Sequence, residues 1–290
     1  MKHHAIRSVV VLGIIAGAMS LAGAADAPDA ALKAAVADSF RLKEHVVRDP
    51  HRHPYETLAF WGLKPGLNVI EIAPGSGYWN EILAPYAKAT GGRYAATMPD
   101  ESNPKVSEAA RTRITAYKAR YADEAKFGKV TWPAWSPSNT TPLGLPGSAD
   151  MVITARNIHD FMWFPGQTEK SLKDFHDVLK PGGILAVEDH RADPRKQVTD
   201  ARDGYVDTDY MVAVVEKAGF KLEASSEINA NPKDTKDYPL GVWALPPTNA
   251  TTRLPFMLDW PGLKPDAKLE PEKYNAIGES DRMTLRFRKL

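Results

Sequence analysis

The hydrophobic positions of this chain come in short runs that switch between two periods. Val69-Ile70-Glu71-Ile72 is rich in β-branched residues without clean alternation, as in a strand buried on both faces. Ala73-Pro74-Gly75-Ser76-Gly77 follows, and its two glycines tolerate the positive φ of a tight turn and a ligand close to the backbone. Trp79, Ile82, Leu83 and Tyr86 then fall on one face of a helix over 79–88. Further strands are expected at 93–98, 129–132, 150–155, 184–187, 220–228 and 282–287. Between them the pattern predicts helices at 56–61, 105–125 and about 207–218, and one ending at Lys180-Pro181-Gly182-Gly183 with Leu172, Phe175, Val178 and Leu179 inward. Leu32, Val36, Phe40 and Val47 space a helix face over 28–47, which Pro50 and Pro54 are expected to break. Such alternation predicts an α/β fold: a doubly wound, largely parallel sheet with right-handed crossovers, binding its ligand at the carboxyl ends of the strands. Residues 229–280 hold eight prolines and read as one long ordered loop or lid.

Composition adds the address. The chain has 290 residues, 43% hydrophobic and 25% charged, enough for one large core. Lys2 and Arg7 precede an apolar run from Val9 to Leu21, and Ala22-Gly23-Ala24 follows as a small-residue cleavage site. This is the layout of a secretory signal peptide over residues 1–24, so a periplasmic or secreted protein with no stable membrane insertion after cleavage is expected. Residues 25–54 then read as a helical extension and 55–290 as the main domain. Removing residues 1–24 leaves 35 basic and 36 acidic residues, and this balance argues against nucleic acid as a partner. The absence of cysteine removes disulfides, thiolate metal sites and cysteine nucleophiles together.

Three segments then carry a resemblance. Val-Ile-Glu-Ile-Ala-Pro-Gly-Ser-Gly (69–77), Asp150 to His159, and Val-Leu-Lys-Pro-Gly-Gly-Ile-Leu-Ala-Val (178–187) resemble, in order and spacing, the motifs of class I S-adenosylmethionine-dependent methyltransferases. Arg48-Asp49, Arg52, Pro54, Asp189-His190-Arg191 and Asn231-Pro232-Lys233-Asp234 are similar to a little-characterised, often exported bacterial group of predicted methyltransferases. The resemblance implies a Rossmann-like seven-stranded sheet of order 3-2-1-4-5-7-6 with strand 7 antiparallel, and S-adenosyl-L-methionine as cofactor. It implies a cofactor site over Glu71, Ala73, Pro74, Gly75, Ser76, Gly77 and Tyr78, with Asn157 and Ile158 flanking the adenine or methionine portion. Ala73 stands where the first glycine is usual, and Met98 where an acid usually takes the ribose hydroxyls; Asp100 is the expected substitute.

The chemistry follows from placement. A dinucleotide oxidoreductase would want a third glycine where Asn80 stands, and no Gly-Lys-Ser/Thr phosphate loop is present. A sulfonium cofactor is expected to meet Tyr78 or Trp79 through a cation–π contact. His159 follows the fourth strand and His190 the fifth; either suits a general base if the accepting atom must lose a proton. Arg52 and His53 are expected at the mouth as substrate-binding residues or as a cap on the first helix of the sheet. No metal is expected, since His51 and His53 in an extended i, i+2 pair would point apart. By elimination the substrate is a small molecule. The competing reading is an exported, non-catalytic small-ligand-binding protein on the same fold.

Overall fold

The computed structural model describes residues 29–197, 200–252, 254 and 271–290. The expected signal peptide lies outside the described residues, as do 253 and 255–270 of the proline-rich stretch. Seven strands form one sheet: β1 Asn68–Ile72, β2 Arg93–Ala96, β3 Val130–Thr131, β4 Ala149–Ala155, β5 Leu179–His190, β6 Phe220–Ser226 and β7 Arg282–Lys289. Their order is β3-β2-β1-β4-β5-β7-β6, the order the resemblance implies. β1 to β5 pair in parallel, and β7 runs antiparallel to both β5 and β6.

Eleven α-helices are found among the described residues, and the first four precede the sheet: α1 Ala30–Val36, α2 Lys43–Val46, α3 Asp49–Arg52 and α4 Pro54–Phe60. α5 Asn80–Thr90 follows β1, α6 Glu108–Arg120 and α7 Glu124–Phe127 precede β3, and α8 Ile158–Phe161 and α9 Gln167–Val178 precede β5. α10 Thr208–Lys217 leads into β6, and α11 Pro271–Asn275 precedes β7.

Two apolar clusters sandwich the sheet. Ile70, Ile72, Val152, Leu185 and Leu285 belong to one; Val69, Met151, Ile153 and Ala186 belong to the other, with Trp79, Ile82, Leu83 and Tyr86 of α5. Val69 and Ile70 of β1 thus enter opposite clusters, which is why its apolar residues do not alternate with polar ones. Each fully buried large side chain contributes about 1.5–3 kcal/mol. α6 buries only Ile114, as its charged sequence predicts.

The N-terminal expectation is corrected. The helix over 28–47 stops at Val36, and Phe40 and Val47 are exposed. Asp38 accepts from the Phe40 amide at 2.8 Å, and this local turn outcompetes another helical turn. The two prolines start helices rather than break one: Pro50 and Pro54 occupy first-turn positions of α3 and α4, where a missing N–H costs nothing. His51 is therefore helical and His53 left-handed (φ 41°), so the extended pair does not exist. In the stretch after β6, Gly241–Ala244 forms a 3₁₀ turn, and Leu240, Ala244, Leu245, Ala250 and Tyr274 form a small core of their own.

Candidate active site

The strands β1, β4 and β5 end side by side, with Ile72 opposite Thr154 and Ala155 opposite Glu188. A cavity of about 340 Å³ opens at those ends. Its floor is Glu71 and the turn Ala73–Ser76, and one wall is Arg156, Asn157, His159, Asp160 and His190. Arg48, Tyr78 and Trp79 close a second side, and Val242, Trp243, Pro246, Pro247 and Thr248 form a third.

The floor is built by backbone. Ala73 takes a left-handed conformation (φ 43°) that a glycine would adopt more cheaply, and its amide donates to Thr97 Oγ1 at 2.8 Å. Gly75 has φ 59°, and a Cβ added there would meet no atom within 4 Å, so this glycine leaves the cavity open. Gly77 differs from expectation: it does not line the cavity, and a Cβ there would lie 2.1 Å from the Tyr121 hydroxyl. Its missing side chain admits a tyrosine from behind, not a ligand. His45 braces the same turn, with Nε2 3.0 Å from Ser76 Oγ and Nδ1 2.9 Å from Glu81.

Glu71 is 2% exposed, and burial raises its carboxyl to about 8 against the opposing pull of Tyr94 and Arg156. The hydrogen bonds agree. The Tyr94 hydroxyl reaches both Glu71 Oε2 and, at 2.6 Å, Asn80 Oδ1, and it has one proton to give. If it donates to Asn80, Glu71 must supply the other proton, which requires a neutral carboxyl.

The two histidines are in contact, ring centroids 4.9 Å apart, and their environments separate them. Asp189 is fully buried; its Oδ1 accepts from His159 Nδ1 at 2.7 Å and from the His190 amide at 2.8 Å, and its Oδ2 accepts from the His159 amide at 3.1 Å. Burial disfavours a charged His159, but Asp160 and Asp189 overcome it and raise its pKa to about 10. His190 is pushed well below the ordinary imidazole range by burial and by the cations His159, Arg156 and Arg282. Its Nδ1 lies 2.5 Å from Ser280 Oγ. The two rings are thus pushed in opposite directions, His159 toward the cation and His190 toward the neutral form.

Several expected site residues sit elsewhere. Arg52 is 1% exposed, with Nε on Glu279 at 2.9 Å, and stacks 4.5 Å from the Tyr78 ring, so it supports the wall rather than the mouth. That stacking, with Arg41 at 5.3 Å and Arg48 at 5.8 Å, gives Tyr78 protein cations as its neighbours. His53 turns away to Asn229 at 3.4 Å and does not line the cavity. Ile158 is 1% exposed within the main core. Met98 is buried, bridges to Ala134 and does not line the cavity. Asp100 accepts from the amide and hydroxyl of Ser102 at 2.9 and 2.7 Å, a local turn outside the cavity. Asn157 does line it, while its Nδ2 ties β4 to β1 through Ile72 O at 3.0 Å. Trp79 lines it too, at 2% exposure and packed on Trp61.

Sequence reasoning missed Arg48 and Arg156 as wall residues, and Pro246 and Pro247 on the apolar side; Trp243 was one of five loop tryptophans from which a substrate wall or lid could be drawn. Their signals were present: Arg156 follows β4 at once, and the Trp-Ala-Leu-Pro-Pro run is apolar within a polar stretch. It also missed the buried hub at Glu279, which accepts from Arg48 Nε at 2.7 Å, Arg52 Nε at 2.9 Å and Arg282 Nη1 at 2.9 Å. His159, Asp189 and His190 offer ligand-type atoms within 4.8 Å of one another. Asp189 already spends its oxygens on three donors, and Arg156 and Arg282 flank the rings, so the site's charge disfavours a further cation there.

No protein-family model matches the chain. An uncharacterized methyltransferase of Synechocystis sp. is 27% identical over 144 residues, 49% of this chain and 54% of that protein, so the chain spans about half the length of this curated relative. Among solved structures, the [4+2]-cyclase SpnF gives a TM-score of 0.50 at 14% identity, covering 82% of this chain and 80% of that one. A SAM-dependent methyltransferase from Aquifex aeolicus gives 0.47 at 18% identity, covering 64% and 92%. The likeness to a cyclase bears on fold alone, and chemistry has to be argued from the site.

Proposed function

We propose that the chain is an S-adenosylmethionine-dependent methyltransferase acting on a small molecule. One observation carries this reading: a left-handed turn with an open Gly75 borders a cavity next to a buried carboxyl, Glu71, that ionises only near pH 8. A cationic ligand would draw the proton off Glu71 and pair with the carboxylate so formed. The similarity to an uncharacterized methyltransferase over half the chain supports the same class of activity.

Bound there, S-adenosylmethionine would supply an electrophilic methyl carbon. The chain's own residues do the rest. Glu71 and the backbone of Ala73–Ser76 hold the cationic end. His190, anchored through Nδ1 to Ser280, is a weak proton acceptor because burial and neighbouring cations hold its pKa down, so it serves an attacking atom that is itself acidic. His159, kept as a cation by Asp160 and Asp189, stabilises negative charge on that atom. Trp243, Pro246 and Pro247 exclude water from the apolar side. Asp100 is committed to Ser102, so ribose recognition by an acid after β2 is not part of the mechanism. With residues 1–24 read as an export signal, the proposed place of action is the periplasm or the exterior.

Calorimetric titration of the purified protein with S-adenosylmethionine and S-adenosylhomocysteine tests the reading. Saturable binding that disappears in a folded Gly75→Val variant is expected. A folded wild-type protein that gives no heat at millimolar ligand refutes it and returns the chain to the non-catalytic class.

A further inference from the structure

The cavity wall carries a cation that the protein itself leaves without hydrogen bonds. Arg156 stands at the end of β4 in a left-handed conformation (φ 60°), a strained position for a residue with a side chain. Its amide is used, donating to Glu188 O at 2.7 Å. Among the described residues its guanidinium makes no hydrogen bond; it forms looser ion pairs with Glu188 at 3.7 Å and Glu279 at 3.9 Å, and Nε is buried without a hydrogen-bond partner. Arg282, behind it, takes both acids at close range, with Glu188 at 3.0 Å and Glu279 at 2.9 Å. Arg48 spends only Nε, on Glu279, and its two terminal nitrogens make no hydrogen bond while the residue lines the same cavity.

The charge balance of the lining points the same way. Arg48, Arg156 and His159 line the cavity with two carboxyls, Asp160 and Glu71, and burial raises the Glu71 carboxyl. Burial, with Arg282 and Arg48, depresses the Arg156 guanidinium despite Glu279 and Glu188. A planar carboxylate matches the fork that two guanidinium groups present.

We infer that Arg48 and Arg156 form a binding site for an anionic oxygen group, a carboxylate by preference, carried by a ligand of this cavity. Two sources fit that chemistry. The carboxylate can belong to the methionine end of the cofactor, or to a substrate whose flat apolar body lies against Trp243 and Pro246. The inference rests on the methyltransferase reading for the first source and stands without it for the second.

The test uses charge-matched probes on the full chain. S-adenosylmethionine is compared with its decarboxylated form, and benzoate with benzamide in the presence of S-adenosylhomocysteine, on wild type and Arg156→Gln. Loss of a charge-assisted pair predicts a drop of roughly tenfold to a hundredfold in affinity. If the cofactor supplies the group, S-adenosylmethionine binds more tightly than its decarboxylated form, and Arg156→Gln removes the difference. If the substrate supplies it, the two nucleosides bind alike, and benzoate exceeds benzamide only in wild type. Should neither nucleoside bind while benzoate still depends on Arg156, the methyltransferase reading falls and the anion site survives. Equal binding within both probe pairs in wild type overturns the inference, and that comparison does not depend on the variant folding.

Discussion

Replacing Glu71 by glutamine isolates the unusual proton of this site. The amide keeps the shape and still offers an oxygen to the Tyr94 hydroxyl, but it cannot ionise. In the wild type, a carboxyl of ordinary pKa 4.5 is raised to about 8 by burial. Because the folded-state value lies above the unfolded one, its contribution to stability is full below 4.5 and is lost as pH climbs through about 8. Each pKa unit is worth about 1.36 kcal/mol, so moving from about pH 6 to about pH 9 costs the wild type ~3 kcal/mol at this residue. Glu71→Gln does not incur that cost. Every other titrating group, His159 included, is common to both proteins and cancels in the difference. Urea unfolding of the pair at the two pH values measures it: the variant's lead over the wild type is expected to widen by ~3 kcal/mol from the acid to the alkaline end. A parallel pH dependence in the two proteins refutes the neutral carboxyl, and with it the account of how the cavity receives a cation. In the same wild type, binding of S-adenosylmethionine near neutral pH should release a proton, seen as a buffer-dependent heat that Glu71→Gln lacks.

The two turn glycines should separate fold from ligand. Gly77→Ala drives a Cβ into the Tyr121 hydroxyl at φ 96° and should lower urea-measured stability by about 1–3 kcal/mol or more, whereas Gly75→Ala should cost about 1 kcal/mol and act on ligand affinity. His190→Asn should reduce turnover by about 10²–10⁴ with S-adenosylhomocysteine affinity unchanged, which steady-state kinetics and titration check together. His159, raised from 6.5 to about 10, adds stability that is complete below 6.5 and lost as pH rises through about 10; turnover should fall over that upper limb, and Asp189→Asn should move the limb down. Glu279→Gln leaves three buried guanidinium groups short of a carboxylate and should cost about 3–5 kcal/mol in urea unfolding.

The fold was legible because its signals are local. β1 carries apolar side chains for two cores without alternation; the face of Trp79 and, in α5, Ile82, Leu83 and Tyr86 is buried as its period requires. The first helix was overextended because periodicity continues through Phe40 and Val47, while the Asp38 turn that ends it is a competing local signal of a different kind. At the site, sequence position fixed which residues reach the strand ends and not what they touch there. His159 and His190 could be placed at the sheet edge, but their opposite protonation depends on Asp189, Asp160 and three neighbouring cations. Gly77 and Asp100 were misassigned for one reason: what fills the space beside them, Tyr121 and Ser102, is invisible in a motif.

The arginines show why the rest of the site stayed hidden. Arg48 and Glu279 are separated by 231 positions, and Arg282 reaches from β7 to the His51 carbonyl across the same distance. No periodicity encodes such pairs; they exist only once the antiparallel β7 has been laid against β5 with Arg282 opposite His190. The hub at Glu279 therefore joins the N-terminal helices, the sheet edge and the last strand, and the cavity is the space those three leave between them. Arg52, Arg282 and Arg48 Nε share the hub's acid, and Arg48 and Arg156 also line the cavity. A buried network of this kind adds little to net stability. Its effect here is geometric: it sets two guanidinium groups on the wall opposite Trp243 and next to a neutral imidazole, the arrangement from which the ligand's polarity follows.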